Sequence, residues 1–199
     1  LSDSSERNEV VRSLDGDREA YARIVARYQT KIARHMRLFT RDPAIIEQLV
    51  QDVFVDAYFS LNGFRGEGAL GAWIGRIATR VGYRYWKQNR RKNEVPRDDH
   101  WWRELAEQEV DNLDPTAATR LVHSLLETLP PRDRLVLVLM YVDGRSVDEA
   151  AQLAGWSKTM IKVQAFRARR KLRTLFAGLG INSVQAAFEL SQDVVHERP

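Results

Sequence analysis

Apolar residues recur along this chain at steps of three and four, the spacing that gathers them on one face of an α-helix. Tyr21, Ile24, Val25, Tyr28, Ile32 and Met36 form the first such series, behind Asp17 as a capping residue. Asp42-Pro43 opens a second helix, because a proline in the first turn lacks only an N–H that has no partner there. From there Ile45, Ile46, Leu49, Val50, Val53, Phe54, Ala57, Tyr58 and Leu61 make a wide apolar stripe. Glu47, Gln48, Gln51, Asp52 and Asp56 share the remaining face. Residues 62–71 break the period with four glycines. A third helix is predicted over 72–92, with Ile74, Ile77, Ala78, Val81 and Tyr85 inward. Arg76, Arg80, Arg84, Lys87 and Arg91 form a continuous cationic stripe on another of its faces.

Residues 93–115 change character: eight acids stand against Arg97 and Arg103, between Pro96 and Pro115. This reads as a linker, with Trp101 and Trp102 pointing to some docking. A second helical unit is expected from Thr116 to Leu175. Leu135 to Val142 is an apolar run that a buried strand could also show, but Pro131 and the length favour a buried helix. Asp143-Gly144 turns the chain. Ser146 with Glu149 three residues on is a capping box, and its helix turns Val147, Ala150, Ala151 and Leu153 inward. Gly155 suits a left-handed stop. Ser157 then caps a last helix with Ile161, Ala165, Ala168, Leu172 and Leu175 inward. Helix, glycine turn and basic helix make a helix-turn-helix pattern, with a plain α-hairpin as the other reading. Ser183 to Val195 has the spacing of a short amphipathic helix burying Val184, Ala187, Phe188 and Val194. The fold class is therefore all-α: two small helical domains joined by a flexible acidic linker.

Composition narrows the chemistry. Hydrophobic residues are 44% of the 199, enough for a core, which excludes wholesale disorder. No apolar run approaches the roughly 20 residues that span a bilayer, so no direct membrane insertion is expected. No secretory signal pattern opens the chain, so a cytoplasmic location is expected. Cysteine is absent, which excludes disulfides, thiolate metal sites and a Cys nucleophile. His35, His100, His123 and His196 are too dispersed for a ligand set. Neither a metal nor any other cofactor is called for.

The net charge of +4 hides segregation. Residues 20–41 hold six basic side chains, residues 76–92 seven and residues 157–175 seven, all without an acid. The other 11 basic residues face all 27 acids. Solvated helix faces usually interleave Glu and Lys at i,i+4; one-sign runs instead favour a long polyanion. Gly66 to Gly71 spells G-x-G-x-x-G, but a helix precedes it where a dinucleotide site needs a strand. No nucleophile, base and oxyanion set assembles, so an enzyme is not expected. On the residues alone, three alternatives stay open: a standalone helix-turn-helix regulator, a nuclease using Asp52 and Asp56, and a helical adaptor for acidic proteins.

Three stretches resemble the bacterial extracytoplasmic-function sigma factors, the dissociable promoter-recognition subunits of RNA polymerase. Ile46 to Tyr58 (IEQLVQDVFVDAY) is similar to the family's core-polymerase-binding helix. Phe64-Arg65-Gly66, followed by Trp73 to Ala78, is similar to its −10 recognition loop and helix. Leu129 to Arg132, Asp143 to Ala151, Ile161-Lys162 and Arg167 to Arg169 are similar to its −35-reading helix-turn-helix.

The resemblance implies sigma domain 2 over residues 10–92, a linker over 93–115 and sigma domain 4 over 116–177. Residues 178–199 are a C-terminal extension without an assigned role. It implies core RNA polymerase and promoter DNA as partners, with control by an anti-sigma factor. Carried onto this sequence, Glu47, Gln48, Gln51 and Asp52 would face polymerase. Asn62, Phe64, Arg65, Gly66, Arg76, Arg80, Arg84 and Lys87 would hold the opened −10 region. Lys158, Lys162, Val163, Gln164, Phe166 and Arg167 would read the −35 element. Arg80 and Arg84 stand where relatives often carry Asn and Asp, which points toward backbone contact. Val163 and Gln164 replace a small hydroxyl residue and Arg, which points to a different −35 preference.

Overall fold

A computed structural model of the chain describes residues 2–66, 68–92 and 125–178, and every element among them is helical. The expected linker, the start of the second unit at Thr116 and the expected helix Ser183–Val195 lie outside the described residues. The chain divides into two compact units, the first made mainly of residues up to Gln88 and the second mainly of those from Asn89 on.

The first unit contains α1 (Ser2–Leu14), α2 (Arg18–Met36), α3 (Pro43–Ser60), a 3-10 turn (Leu61–Gly63) and α4 (Leu70–Lys92). The predicted caps form. Asp17 accepts from the backbone N–H of Glu19 and Ala20, and Asp42 from that of Ala44. Ile24, Ile32 and Met36 of α2, Leu49, Val53 and Phe54 of α3, and Ile74, Ile77 and Val81 of α4 are all buried. On α4 the inward residue near the end is Trp86, at 4% exposure, whereas the expected Tyr85 is half-buried. The indole brings more apolar area and also has a polar partner. Its Nε1 donates to the Phe39 carbonyl oxygen at 2.7 Å, and the two rings lie 4.5 Å apart.

Helix α1 has no counterpart in the sequence reading. It docks on α2 through charge: Tyr28 Oη donates to Glu6 Oε1 at 2.8 Å, and Arg27 lies 3.5 Å from Glu6 and 3.2 Å from Glu9. Arg23 lies 3.6 Å from Glu9. Both carboxylates are nearly buried, a placement that requires such partners. Part of the acid-free run over residues 20–41 is thus neutralised from a neighbouring helix.

In the second unit a helical turn at 125–128 leads to α5 (Pro131–Leu137), which continues as a π-helical turn (Val138–Val142). The Asp143 N–H reaches back five residues to the Val138 carbonyl oxygen at 2.8 Å. The apolar run over 135–142 is therefore helical, as Pro131 argues, and Leu135 to Leu139 are fully buried. The capping box forms at α6 (Val147–Ala154): Glu149 N–H donates to Ser146 Oγ, and Ser146 N–H and Oγ–H both donate to the Glu149 carboxylate at 2.9 Å. Those bonds hold the Glu149 carboxyl below its ordinary pKa. Gly155 takes φ +69°, and Ser157 caps α7 (Lys158–Gly178) by accepting from the Met160 N–H. Ile161, Ala165, Ala168 and Leu172 bury as expected.

A Cβ placed on Gly82 would meet Phe39 ring carbons at 2.4–2.5 Å, with the ring itself 2% exposed. Gly82→Ala should therefore destabilise the first unit by about 1–3 kcal/mol, read from urea unfolding. Gly63→Ala, where a Cβ meets nothing within 4 Å, should be near neutral. Burial pushes the Tyr21 and Tyr28 hydroxyls up to about 12, aided at Tyr28 by the Glu6 carboxylate. A raised folded value favours the neutral phenol. Stability from these two groups should be full below pH 10 and lost as pH rises toward 12, checked by melting temperature against tyrosinate absorbance.

Candidate polymerase and nucleic-acid interfaces

On α3 the buried stripe fixes what faces out. Glu47, Gln48 and Gln51 are exposed, while Asp52, expected outward, is half-buried. Val55 is 52% exposed and Phe59 79%. At steps of four from Gln51 they continue the polar face into an apolar edge, which the sequence reading did not single out. Asp56 accepts both terminal nitrogens of Arg84 at 3.2 Å. It is thus a partner for a cation of the fold itself, and among the described residues no group of three His, Asp or Glu could hold a metal ion.

The loop between α3 and α4 is shaped by its glycines. Gly66 and Gly68 take φ of +72° and +94°, the left-handed region glycine enters without a Cβ penalty. Asn62 and Arg65 are exposed. Phe64 is half-buried, with its ring 5.6 Å from that of Trp73, so one flank of the ring is occupied within the fold. The Gly66 carbonyl oxygen accepts from Arg7 of α1 at 3.2 Å. Helical period cannot reveal this tether, because its partners lie 59 residues apart.

Along α4, Arg76, Arg80, Arg84 and Lys87 are all exposed. From Arg76 to Lys87 the row covers about 16 Å of helix. Arg84 differs from its neighbours in its pairing with Asp56. Arg84 is exposed and Asp56 half-buried, so water still screens the pair, which contributes about 0–1 kcal/mol and can yield to a phosphate. The side chain of Arg91 lies outside the described residues.

On α7 the expected row divides. Lys162, Val163, Phe166 and Arg167 are exposed. Lys158 is exposed and pairs with Asp148 at 2.8 Å. Gln164 does not occupy an outward position: it is half-buried, and its Nε2 donates to Asp133 Oδ1. Asp133, on α5, is 1% exposed, and its other oxygen takes Lys171 Nζ at 2.6 Å. A buried carboxylate needs donors on both oxygens, and that demand draws the amide in. The helical period alone could not reveal it, because the acid lies 31 residues away.

The family profile "Sigma-70 region 2" matches residues 24–92 and "Sigma-70, region 4" matches residues 119–172, together more than half of the chain. The ECF RNA polymerase sigma-E factor of Haemophilus influenzae is 28% identical over 180 residues, covering 82% of this chain and 90% of that protein. The sigma-E factor of Escherichia coli K12 is 28% identical over 172 residues with the same coverage. Among solved structures, CnrH in complex with the cytosolic domain of CnrY aligns with a TM-score of 0.53 at 26% identity, over 87% of this chain and 98% of that one. The region 2 match contains the α3 face and the α4 stripe, and the region 4 match contains the capping box and most of α7. This chain belongs to the extracytoplasmic-function sigma factors, non-enzymatic initiation factors that bind core RNA polymerase and promoter DNA.

Proposed function

We propose the following division of contacts. The first unit seats on core polymerase through Glu47, Gln48 and Gln51, with Asp52 at the rim and Val55 and Phe59 extending the contact. The glycine loop with Asn62 and Arg65 receives the opened −10 strand, because its backbone can approach a base closely. Arg76, Arg80 and Lys87 hold the phosphates, with Arg84 joining once it leaves Asp56. Phe64, backed by Trp73, is a wall of this site. The single observation that carries this reading is the exposed α4 row, which faces outward without an acid of its own helix in it. In the second unit Lys162, Val163, Phe166 and Arg167 face the −35 duplex, Lys158 lies at the edge, and Gln164 holds the helix in place. The functional modules are residues 10–92 and 116–177, with α1 as a brace for the −10 loop.

Control follows the same chemistry. CnrH was solved in complex with the cytosolic domain of CnrY; an anti-sigma factor restrains this chain by covering its polymerase and DNA faces. With no cysteine in the sequence, the signal is sensed by that partner. The chain works in the cytoplasm, where polymerase and promoters meet. No helix among the described residues is long and apolar enough to cross a membrane.

Transcription from a promoter library with purified core enzyme should start at defined sites only when the chain is added; random starts would overturn the reading. Replacing Arg76, Arg80 and Lys87 together by Ala should abolish permanganate reactivity at the −10 element while polymerase capture persists. The salt slope should fall by about 2, at roughly 0.7 per single-strand phosphate. Gln164→Ala should lower the melting temperature of the second unit and weaken all −35 variants alike; a changed base preference would restore a reading role to this residue.

A further inference from the structure

The outward face of α7 contains an arrangement that phosphate binding does not explain. Val163 is 44% exposed and Phe166 62%. They stand three residues apart and are therefore neighbours on one helix face. Between them Gln164 turns to Asp133 and Ala165 is buried. On either side in sequence stand Lys162 and Arg167, both exposed. The result is an apolar pair inside a cationic frame, on the second helix of a helix-turn-helix.

Cations bring such a helix to DNA but carry no sequence information in their phosphate contacts. An apolar pair gains nothing from a phosphate or from the polar atoms of a base edge. In the major groove one base offers an apolar group, the C5-methyl of thymine. The adenine-specific alternative, a bidentate amide, is withdrawn here because Gln164 is committed to a buried carboxylate. We infer that Val163, backed by Phe166, is a specificity-determining residue that reads a thymine methyl in the −35 element. The inference rests on the −35 role given above for this helix and names the chemistry it selects.

The test uses holoenzyme made from core polymerase and the full chain. It first selects −35 sequences from a randomised promoter library. Each selected thymine is then replaced by deoxyuridine, which removes the methyl and keeps the pairing face and O4. One or two positions should lose affinity by about fourfold, the size expected for one buried methylene-sized group. Replacing the same thymine by cytosine should weaken binding, and 5-methylcytosine should recover part of the loss. In Val163→Ala the ratio between thymine and deoxyuridine templates should fall toward one. Promoter-specific initiation with no deoxyuridine effect at any −35 thymine overturns the methyl reading and leaves the −35 role standing. So does an undiminished ratio in Val163→Ala, or a selected −35 element without thymine. Absence of promoter-specific initiation overturns both.

Discussion

The contact between Phe39 and α4 sets what the rest of the first unit can present. The ring of Phe39 lies against Gly82, where a Cβ would overlap it, and beneath Trp86. That close approach fixes the separation of α4 from the α2–α3 turn. The bond from Trp86 Nε1 to the Phe39 carbonyl fixes rotation as well, because an indole donor reaches one oxygen from one side only. At the preceding turns Thr79 repeats the constraint: its Oγ1 donates to the Gly75 carbonyl oxygen and lies 3.0 Å from His35 Nε2. With the inward face committed at Ile74, Ile77, Ala78, Val81 and Trp86, Arg76, Arg80 and Lys87 have only the solvent side left. The cationic row is thus a consequence of packing on the opposite face, and a helix turned by one residue would lose both.

Charge then decides which cations remain available to a polyanion. The three acid-free runs look equivalent in sequence, and the structure separates them. Arg23 and Arg27 face Glu6 and Glu9 of α1, so that part of the first run brings two segments of the fold together. Arg84 meets the half-buried Asp56 and Lys158 the exposed Asp148, in pairs that water screens, so that each is worth little and a phosphate can displace it. Lys171 meets a carboxylate that is 1% exposed and is held far more firmly. Segregation along the chain correctly indicated a nucleic-acid partner, yet residue roles depended on carboxylates distant in sequence.

That distance explains what could be read and what could not. Caps and stops are local, made within three or four residues, and Asp17, Asp42, Ser146 with Glu149, Gly155 and Ser157 all act as their sequence context predicts. Apolar period is likewise local, so the stripes of α2, α3, α4 and α7 and the all-helical class were legible. Helix α1 was not, because it docks through Glu6 and Glu9 with little amphipathic signal. Tyr85 and Trp86 are adjacent, and period alone does not choose between them; a carbonyl 47 residues away does. Asp52 and Gln164 were placed outward by spacing and drawn partly inward by tertiary surroundings. The candidate interfaces were therefore legible as faces, while their membership at the margins was not.

The two helices that carry the exposed cations, α4 and α7, share a device that these margins expose. Asp133 of α5 serves for α7 the purpose that the Phe39 carbonyl serves for α4. Its buried carboxylate cannot remain without donors, and Gln164 and Lys171, which donate to it, both come from α7 about two turns apart. Two tethers at separate heights fix a helix about its axis more tightly than an apolar face does, because apolar contacts tolerate small rotations and a buried charge does not. A base edge in a groove is discriminated at hydrogen-bond and van der Waals range, so a recognition helix that rolled by a fraction of a turn would read nothing. Desolvating Asp133 opposes folding, and what it secures is the angle at which Val163, Phe166 and Arg167 leave the surface. An amide bonded to a buried carboxylate thereby sets the direction of the exposed side chains beside it.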